Sequence, residues 1–410
     1  MREFIDGATA IARAALDAGC DFFAGYPISP ATPLLLHMIR ELPVTGGVAI
    51  QAEDEIASIS MCIGAAMTGA RALTATSGPG LSLYSENIGL AIMGEAPLVI
   101  VDAQRMGPAT GGATTPGQGD VQFVRWGTSG GYPIIALAPG SVAECYSLTR
   151  RAFDLAERFR VPVFLLTDKE IFASMATVNL ESYEYPPVRE RVHAGALPPD
   201  TPGLRPEETF LPWRCDPIDQ PPPFSPYGGP HIVRFTGSSH DEHGMLTKDP
   251  AVVGRLNEHL WRKIEDHAAE IELAKPDLQS GASTLWISYG ITARAMAEAA
   301  QIARSNGRAV SALAVQTLWP VPEEAILCAL CGPDCGTAIE RVVVAELNLG
   351  DFRREVERVI HRWAAGNRRI APEVAGIHRV DGELITPGQF VETICDLRFT
   401  IDDWQMADGR

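Results

Sequence analysis

Glu53, Asp54 and Glu55 crowd together ahead of a run of small residues that passes through Ala57, Ser58, Gly64, Ala65 and Ala66. An acid at a helix start sits well in the field of the helix dipole, so a carboxylate there can be no more than a solvated terminus. The small residues add something, because they let that helix approach a neighbour or a flat ligand closely. Next comes Thr76-Ser77-Gly78-Pro79-Gly80, a strand-to-helix turn of the kind that cradles an anion or seats a flat heterocycle. It lacks the third glycine and the ribose-binding acid of a dinucleotide site, and no Walker-type Lys-Ser/Thr follows. A second glycine-rich loop runs Gln104-Arg105-Met106-Gly107-Pro108-Ala109-Thr110-Gly111. Its guanidinium offers two parallel donors that match a carboxylate.

Alternating strand and helix patterns must position these pieces. Helical periodicity covers Asp6 to Gly19, Asp54 to Thr68, the stretch from the glycine turn to Met93, and Ser141 to Phe159. Short apolar strands are expected at Asp21 to Gly25, Gly47 to Ile50, Ala70 to Thr76, Pro97 to Val101 and Val161 to Thr167. Such alternation implies an α/β fold with a doubly wound parallel sheet. Ligands bind beyond the carboxyl ends of its strands, where Gly25, Ser77 and Gln104 fall. A second alternating unit starts near Ser283 and includes strands Thr284 to Tyr289, Ala309 to Ala314 and Arg341 to Glu346. The expected organisation is a first domain over 1–185, a proline-rich arm and connecting helix over 186–278, and a small α/β domain over 279–410. Thirteen of the 31 prolines lie between Pro186 and Pro230, which forbids helix interiors and makes this an extended wrap anchored by Phe210, Trp213, Phe224 and Tyr227. Residues 250 to 275 read as one charged amphipathic helix.

Composition narrows the class. At 410 residues the chain is long for one core, and 46% hydrophobic with 21% charged residues is a globular composition. A net charge of −17 argues against nucleic acid and anionic membrane as partners. No apolar stretch approaches the ~20 residues of a bilayer helix. The start of the chain lacks the pattern of a secretion signal, and the eight cysteines show no disulfide framework, so a cytoplasmic location is expected.

Glu55 followed nine residues on by Gly64, then the Thr76 to Gly80 turn, resembles the pyrimidine-binding domain of thiamine diphosphate enzymes. Gly25-Tyr26-Pro27-Ile28-Ser29-Pro30 and the Gln104 to Gly111 loop narrow the resemblance to the α subunit of 2-oxoacid:ferredoxin oxidoreductases, most closely the 2-oxoglutarate branch. Thr236-Gly237 with His240 to Gly244, then Leu318-Trp319-Pro320 and Val344 to Gly350, extend it into a transketolase C-terminal-like domain. The resemblance implies coenzyme A-dependent oxidative decarboxylation of a 2-oxoacid, reversible in the direction of CO₂ fixation. It assigns Glu55 to the aminopyrimidine N1′ of thiamine diphosphate, with Glu53 as its rival. Arg105 is then the receptor for the substrate carboxylate, with Ser29 and Thr110 beside it. Tyr26, Pro27, Ile28, Ser77 and Gly78 complete the cofactor contacts. Ser29 stands where the family has Thr, and Ala109 where Ser is usual.

The chain has no Gly-Asp-Gly followed by Asn, the motif for Mg²⁺ and diphosphate. The resemblance therefore implies a β subunit that supplies it and carries a [4Fe–4S] cluster, a separate γ-type subunit, and ferredoxin as acceptor. No metal site is assigned to this chain. Cys328, Cys331 and Cys335 are one short of a cluster, and His240 with His243 suits a hydrogen-bonded turn. Two rival readings stay open: the β chain of a lipoamide-linked 2-oxoacid dehydrogenase, and a non-catalytic scaffold subunit. Branched-chain or aryl 2-oxoacids and pyruvate are the alternative substrates.

Overall fold

The computed structural model describes residues 2–180, 186–194, 210–332 and 339–395. Its strands, in chain order, are β1 (Glu3–Ile5), β2 (Phe22–Gly25), β3 (Val48–Gln51), β4 (Ala72–Thr76), β5 (Leu98–Gln104), β6 (Ile135–Leu137) and β7 (Pro162–Asp168). They continue as β8 (Ala176–Val178), β9 (Ala274–Asp277), β10 (Thr284–Ser288), β11 (Ser311–Val315), β12 (Thr317–Trp319), β13 (Arg341–Glu346) and β14 (Glu373–His378). The first sheet has the order β12-β6-β7-β5-β4-β2-β3, and the second β14-β13-β10-β11-β9. Each is parallel apart from one antiparallel edge, β12 in the first and β9 in the second.

Both faces of the first sheet are covered. Along β5, Val99, Val101 and Ala103 face one core, and Leu98 and Ile100 face the other. This two-residue alternation inside a largely apolar strand is the signature of a parallel sheet buried on both sides. The second of those cores runs on without a break into Leu285, Ile287, Val342 and Val344 of the other sheet. Helices start where short polar side chains cap them: Asp6 accepts from Thr9 N at 2.8 Å, and Asp54 from Ala57 N at 2.7 Å.

The chain departs from expectation in three places. The helix from the glycine turn to Met93 is two helices, Gly78–Leu83 and Ser85–Met93, meeting at buried Tyr84. The Tyr84 hydroxyl is held by Thr74 Oγ1 at 2.8 Å and Ser58 Oγ at 3.1 Å, which fixes the break. The expected helix over 250–275 ends at Glu265, a short turn of helix covers Ala268–Ile271, and Ala274–Asp277 is strand β9. Third, β12 leaves its own unit and pairs with β6 of the first sheet.

The proline-rich arm is anchored. Phe224 and Trp213 are buried, whereas Tyr227 is half exposed and takes the Phe235 N–H on its hydroxyl. Arg191 stacks over Phe224, pairs with Glu157 at 2.5 Å, and donates to the carbonyls of Ala66 and Ala70. Those carbonyls lie at the end of the Glu55–Met67 helix and just beyond it, so the arm is fastened at the far end of the helix that begins with Glu55. No helix among the described residues is long and apolar enough to cross a membrane.

Candidate active site

Four adjacent parallel strands deliver the motif residues to one edge. β2 pairs with β3 and β4, and β4 pairs with β5, so their carboxyl ends lie side by side. Gly25 to Pro30 leaves β2, Glu53 to Glu55 leaves β3, Ser77 to Gly80 leaves β4 and Arg105 leaves β5.

Glu55 is the first residue of its helix and is buried, 8% exposed, while Glu53 faces solvent. Burial separates the two rivals. The Glu55 carboxylate lies against the glycine turn: a Cβ on Gly80 would sit 2.9 Å from Glu55 Oε1 and 2.1 Å from Thr76 Oγ1. Any side chain at Gly80 therefore collides, and the turn needs glycine for close approach rather than for backbone angle. The hydroxyls of Thr76 and Ser77 are buried beside it with no hydrogen-bond partner. Buried polar atoms without partners are uncommon in folded proteins, so these two mark a place built for a ligand.

Arg105 is 6% exposed and donates through Nη1 to the Ser29 carbonyl at 2.5 Å, while its Nε has no partner. The contact with Ser29 is thus to its backbone, and the Ser29 side chain is exposed. Thr110 and Pro27 are exposed, Tyr26 is half-buried, and Ile28 packs against the core. Ala109 adopts φ 51°, a left-handed conformation that costs a non-glycine residue about 1 kcal/mol or more. A cavity of about 600 Å³ opens between the glycine turn, the Arg105 loop and the second unit. Gly78, Pro79, Arg105, Asp120, Asn348 and Asp351 are among its walls. A crevice of about 680 Å³ around Trp126, Trp261 and Trp319 contains none of the candidate site residues.

Sequence reading missed two acids here. Asp102 is fully buried near the end of β5, and Asp120 stands just before the helix Val121–Trp126. Burial first, then the charge of Asp120, holds the Asp102 carboxyl well above the usual range. Burial pushes Asp120 up to about 6, against the pull of the neighbouring Asp102 carboxyl and of Arg105. A lone acid in the apolar run Leu98-Val-Ile-Val-Asp102 was the available signal.

Other polar clusters are self-contained. Glu95, Cys215 and His259 bring ligand-type atoms within 4.8 Å of one another, but Lys263 pairs with Glu95 at 2.7 Å and takes the cation's place. Burial alone would raise Glu95, yet Lys263 and His259 hold it well below the carboxylate range. Around His240, Asp241 accepts the N–H groups of His243 and Met245, a hydrogen-bonded turn. Cys328 and Cys331 are exposed, and Cys335 lies outside the described residues.

The chain matches known proteins over most of its length. Residues 13–216 match the family model described as pyruvate flavodoxin/ferredoxin oxidoreductase, thiamine diP-binding, and residues 282–390 match pyruvate:ferredoxin oxidoreductase core domain II. The 2-oxoglutarate synthase subunit KorA of Methanothermobacter thermautotrophicus is 40% identical over 392 residues, covering 95% of this chain and 97% of that one. Ketoisovalerate oxidoreductase subunit VorB of the same organism is 32% identical, covering 96% and 97%. Among solved structures, 2-oxoglutarate:ferredoxin oxidoreductase from Magnetococcus marinus, with 2-oxoglutarate, coenzyme A and succinyl-CoA bound, superposes with a TM-score of 0.79 at 28% identity. That match covers 96% of this chain and 65% of the other.

Proposed function

Because the chain belongs to the 2-oxoacid:ferredoxin oxidoreductase family, as a subunit of the KorA type, we propose that it forms the pyrimidine side of a thiamine diphosphate site acting on 2-oxoglutarate. The reaction is oxidative decarboxylation with coenzyme A to succinyl-CoA and CO₂, open to reversal. Two electrons leave one at a time through iron–sulfur clusters to ferredoxin. The single observation that carries this reading is the Glu55 carboxylate held against Gly80, with the orphaned hydroxyls of Thr76 and Ser77 beside it.

These residues fit the aminopyrimidine end of the cofactor, since a buried carboxylate lies directly against the glycine turn. When bound, thiamine diphosphate supplies the carbon nucleophile and the electron sink for decarboxylation. Glu55 holds a proton against the ring nitrogen N1′, a proton-sharing role suited to a carboxylate in a closed cleft. Ser77 and Gly78 line the turn that would seat the ring, and the Tyr26-Pro27-Ile28 turn closes the neighbouring strand end. Arg105 receives the C1 carboxylate of the oxoacid on its free Nε edge, with Ser29 and Thr110 at the loop mouth. Leaving that carboxylate unpaired in a dry cleft would cost several kcal/mol, so a cation at this place decides binding.

The rest of the reading concerns partners. A β subunit brings the Mg²⁺–diphosphate half and a [4Fe–4S] cluster, and a γ-type subunit completes the complex. The free cysteines at 20, 62, 145 and 215 suit a reducing cytoplasm. The test is kcat/KM of the assembled enzyme for 2-oxoglutarate, 2-oxoisovalerate, phenylglyoxylate and pyruvate. A clear preference for 2-oxoglutarate is expected, and a preference for any monocarboxylate overturns the substrate while leaving the reaction type.

A further inference from the structure

Asp120 occupies the N-cap position of the helix Val121–Trp126, yet its side chain makes no capping hydrogen bond. Asp at this position ordinarily caps, so something else holds it. Its carboxylate turns toward Asp102 and the glycine turn: both Oδ atoms lie 3.6 Å from the place of a Cβ on Gly78. Asp102 is fully buried, and neither of its oxygens has a donor in the surrounding protein. The charged groups that reach the pair are Arg105 from the following loop and Asp351 from the start of the helix Asp351–Gly366. Two adjacent carboxylates in a dry setting cannot both ionise, and one proton between them satisfies both.

We infer that Asp102 and Asp120 are positioning residues for the substrate carboxylate, sharing one proton so that the wall beside Arg105 carries a single negative charge. This rests on the reading of Arg105 as the carboxylate receptor. With its proton the pair sets one negative charge against the one positive charge of Arg105, so the substrate carboxylate meets no net repulsion. When the proton passes to solvent through Asp120, which lines the cavity, the doubled charge repels the incoming oxoacid. Only substrate binding weakens, so the effect falls on KM.

Infrared spectroscopy of the assembled, cofactor-free complex reads the proton directly. In native-minus-Asp102→Asn difference spectra near neutral pH, one additional carbonyl stretch of a protonated carboxylic acid is expected, beyond that of Asp168, and it should shift in Asp120→Asn, where the bonding partner becomes an amide. In the loaded enzyme, KM for 2-oxoglutarate should rise about threefold or more as pH climbs past neutrality and the shared proton is lost, and the ratio of KM at high to neutral pH should be about one in Asp102→Asn, where no second negative charge can form. A band unchanged in both variants, or the same KM ratio in Asp102→Asn, overturns the pair. Arg105→Ala separates the two ideas. An unaltered KM there sinks the Arg105 reading itself, whereas a raised KM with a native pH profile in Asp102→Asn sinks the pair alone.

Discussion

Gln118 and Leu347 exchange hydrogen bonds in both directions across the boundary between the two sheets. The Gln118 backbone N–H donates to the Leu347 carbonyl at 2.9 Å, and Gln118 Oε1 accepts the Leu347 N–H at 2.9 Å. Asn348 Nδ2 adds bonds to the Gln118 carbonyl at 2.8 Å and to the Tyr289 hydroxyl at 2.9 Å. Tyr289 in turn donates to Glu346, whose carboxylate takes the N–H groups of Phe352 and Arg353. The loop that carries Arg105 is thereby tied to the first turn of a helix in the other unit.

Replacing Gln118 with Leu keeps its volume and removes Oε1, which leaves the Leu347 N–H unpaired in the interior. Stability should fall by about 1–3 kcal/mol, the usual cost of an orphaned buried donor. Denaturant titration of the chain measures it. A change below a few tenths of that would mean the N–H has found another acceptor.

Glu55→Gln preserves shape and removes the proton-sharing group, so turnover of the assembled enzyme should fall by about 10²-fold or more, within the range for acid–base groups. Glu53→Gln, at an exposed position, should leave turnover nearly native. The reverse pattern in steady-state kinetics would move the assignment to Glu53.

Apart from its chain neighbours and its own helix backbone, Gly64 has no described atom within 4 Å of the place its Cβ would take, although it lies inside the helix Glu55–Met67. Gly64→Ala should therefore stabilise the isolated chain by about 0.5–1 kcal/mol, the helix-interior difference between the two residues. If that open face is where the partner subunit packs, the same change weakens assembly. Thermal melts and gel filtration with the β subunit read the two effects separately.

Asp168 ends β7, accepts the Ile291 N–H at 2.5 Å, and is pushed up to about 7 by burial. An acid whose folded pKa exceeds its unfolded value binds its proton better when folded. Its contribution is full below the unfolded pKa near 4 and is lost as pH climbs toward about 7. Asp168→Asn removes this slope, so native and variant stabilities should diverge by a few kcal/mol between about pH 4 and about pH 7, with the native chain losing stability. Parallel pH dependences of the two melting curves would contradict it.

Much of this architecture was legible because its signals are local. The apolar runs ending at Gly25, Thr76 and Val101 read as parallel strands, and their shared carboxyl edge follows from the α/β alternation. What stayed hidden depends on contacts between distant residues. Glu53 and Glu55 are indistinguishable by type, and only burial and the contact with Gly80 tell them apart. Asp102 was visible as an oddity, but its partner lies in a separate loop beyond the glycine-rich segment. The amphipathic pattern runs past Glu265 because strand β9 is exposed and charged, an edge strand that looks like the polar face of a helix. Thr317–Trp319 is too short to announce itself, and nothing near it says that its mate is Ile135–Leu137.

That last pairing sets a schedule for synthesis. Strand β6 emerges early, yet the strand that covers its outer edge is made roughly 180 residues later, on the order of ten seconds at ordinary translation rates. Through that interval the nascent first sheet presents an uncapped ladder of N–H and C=O groups, open to any extended segment nearby. The early half of the chain is thus exposed to mispairing until Trp319 has left the ribosome, and shielding of the growing polypeptide matters most within this window.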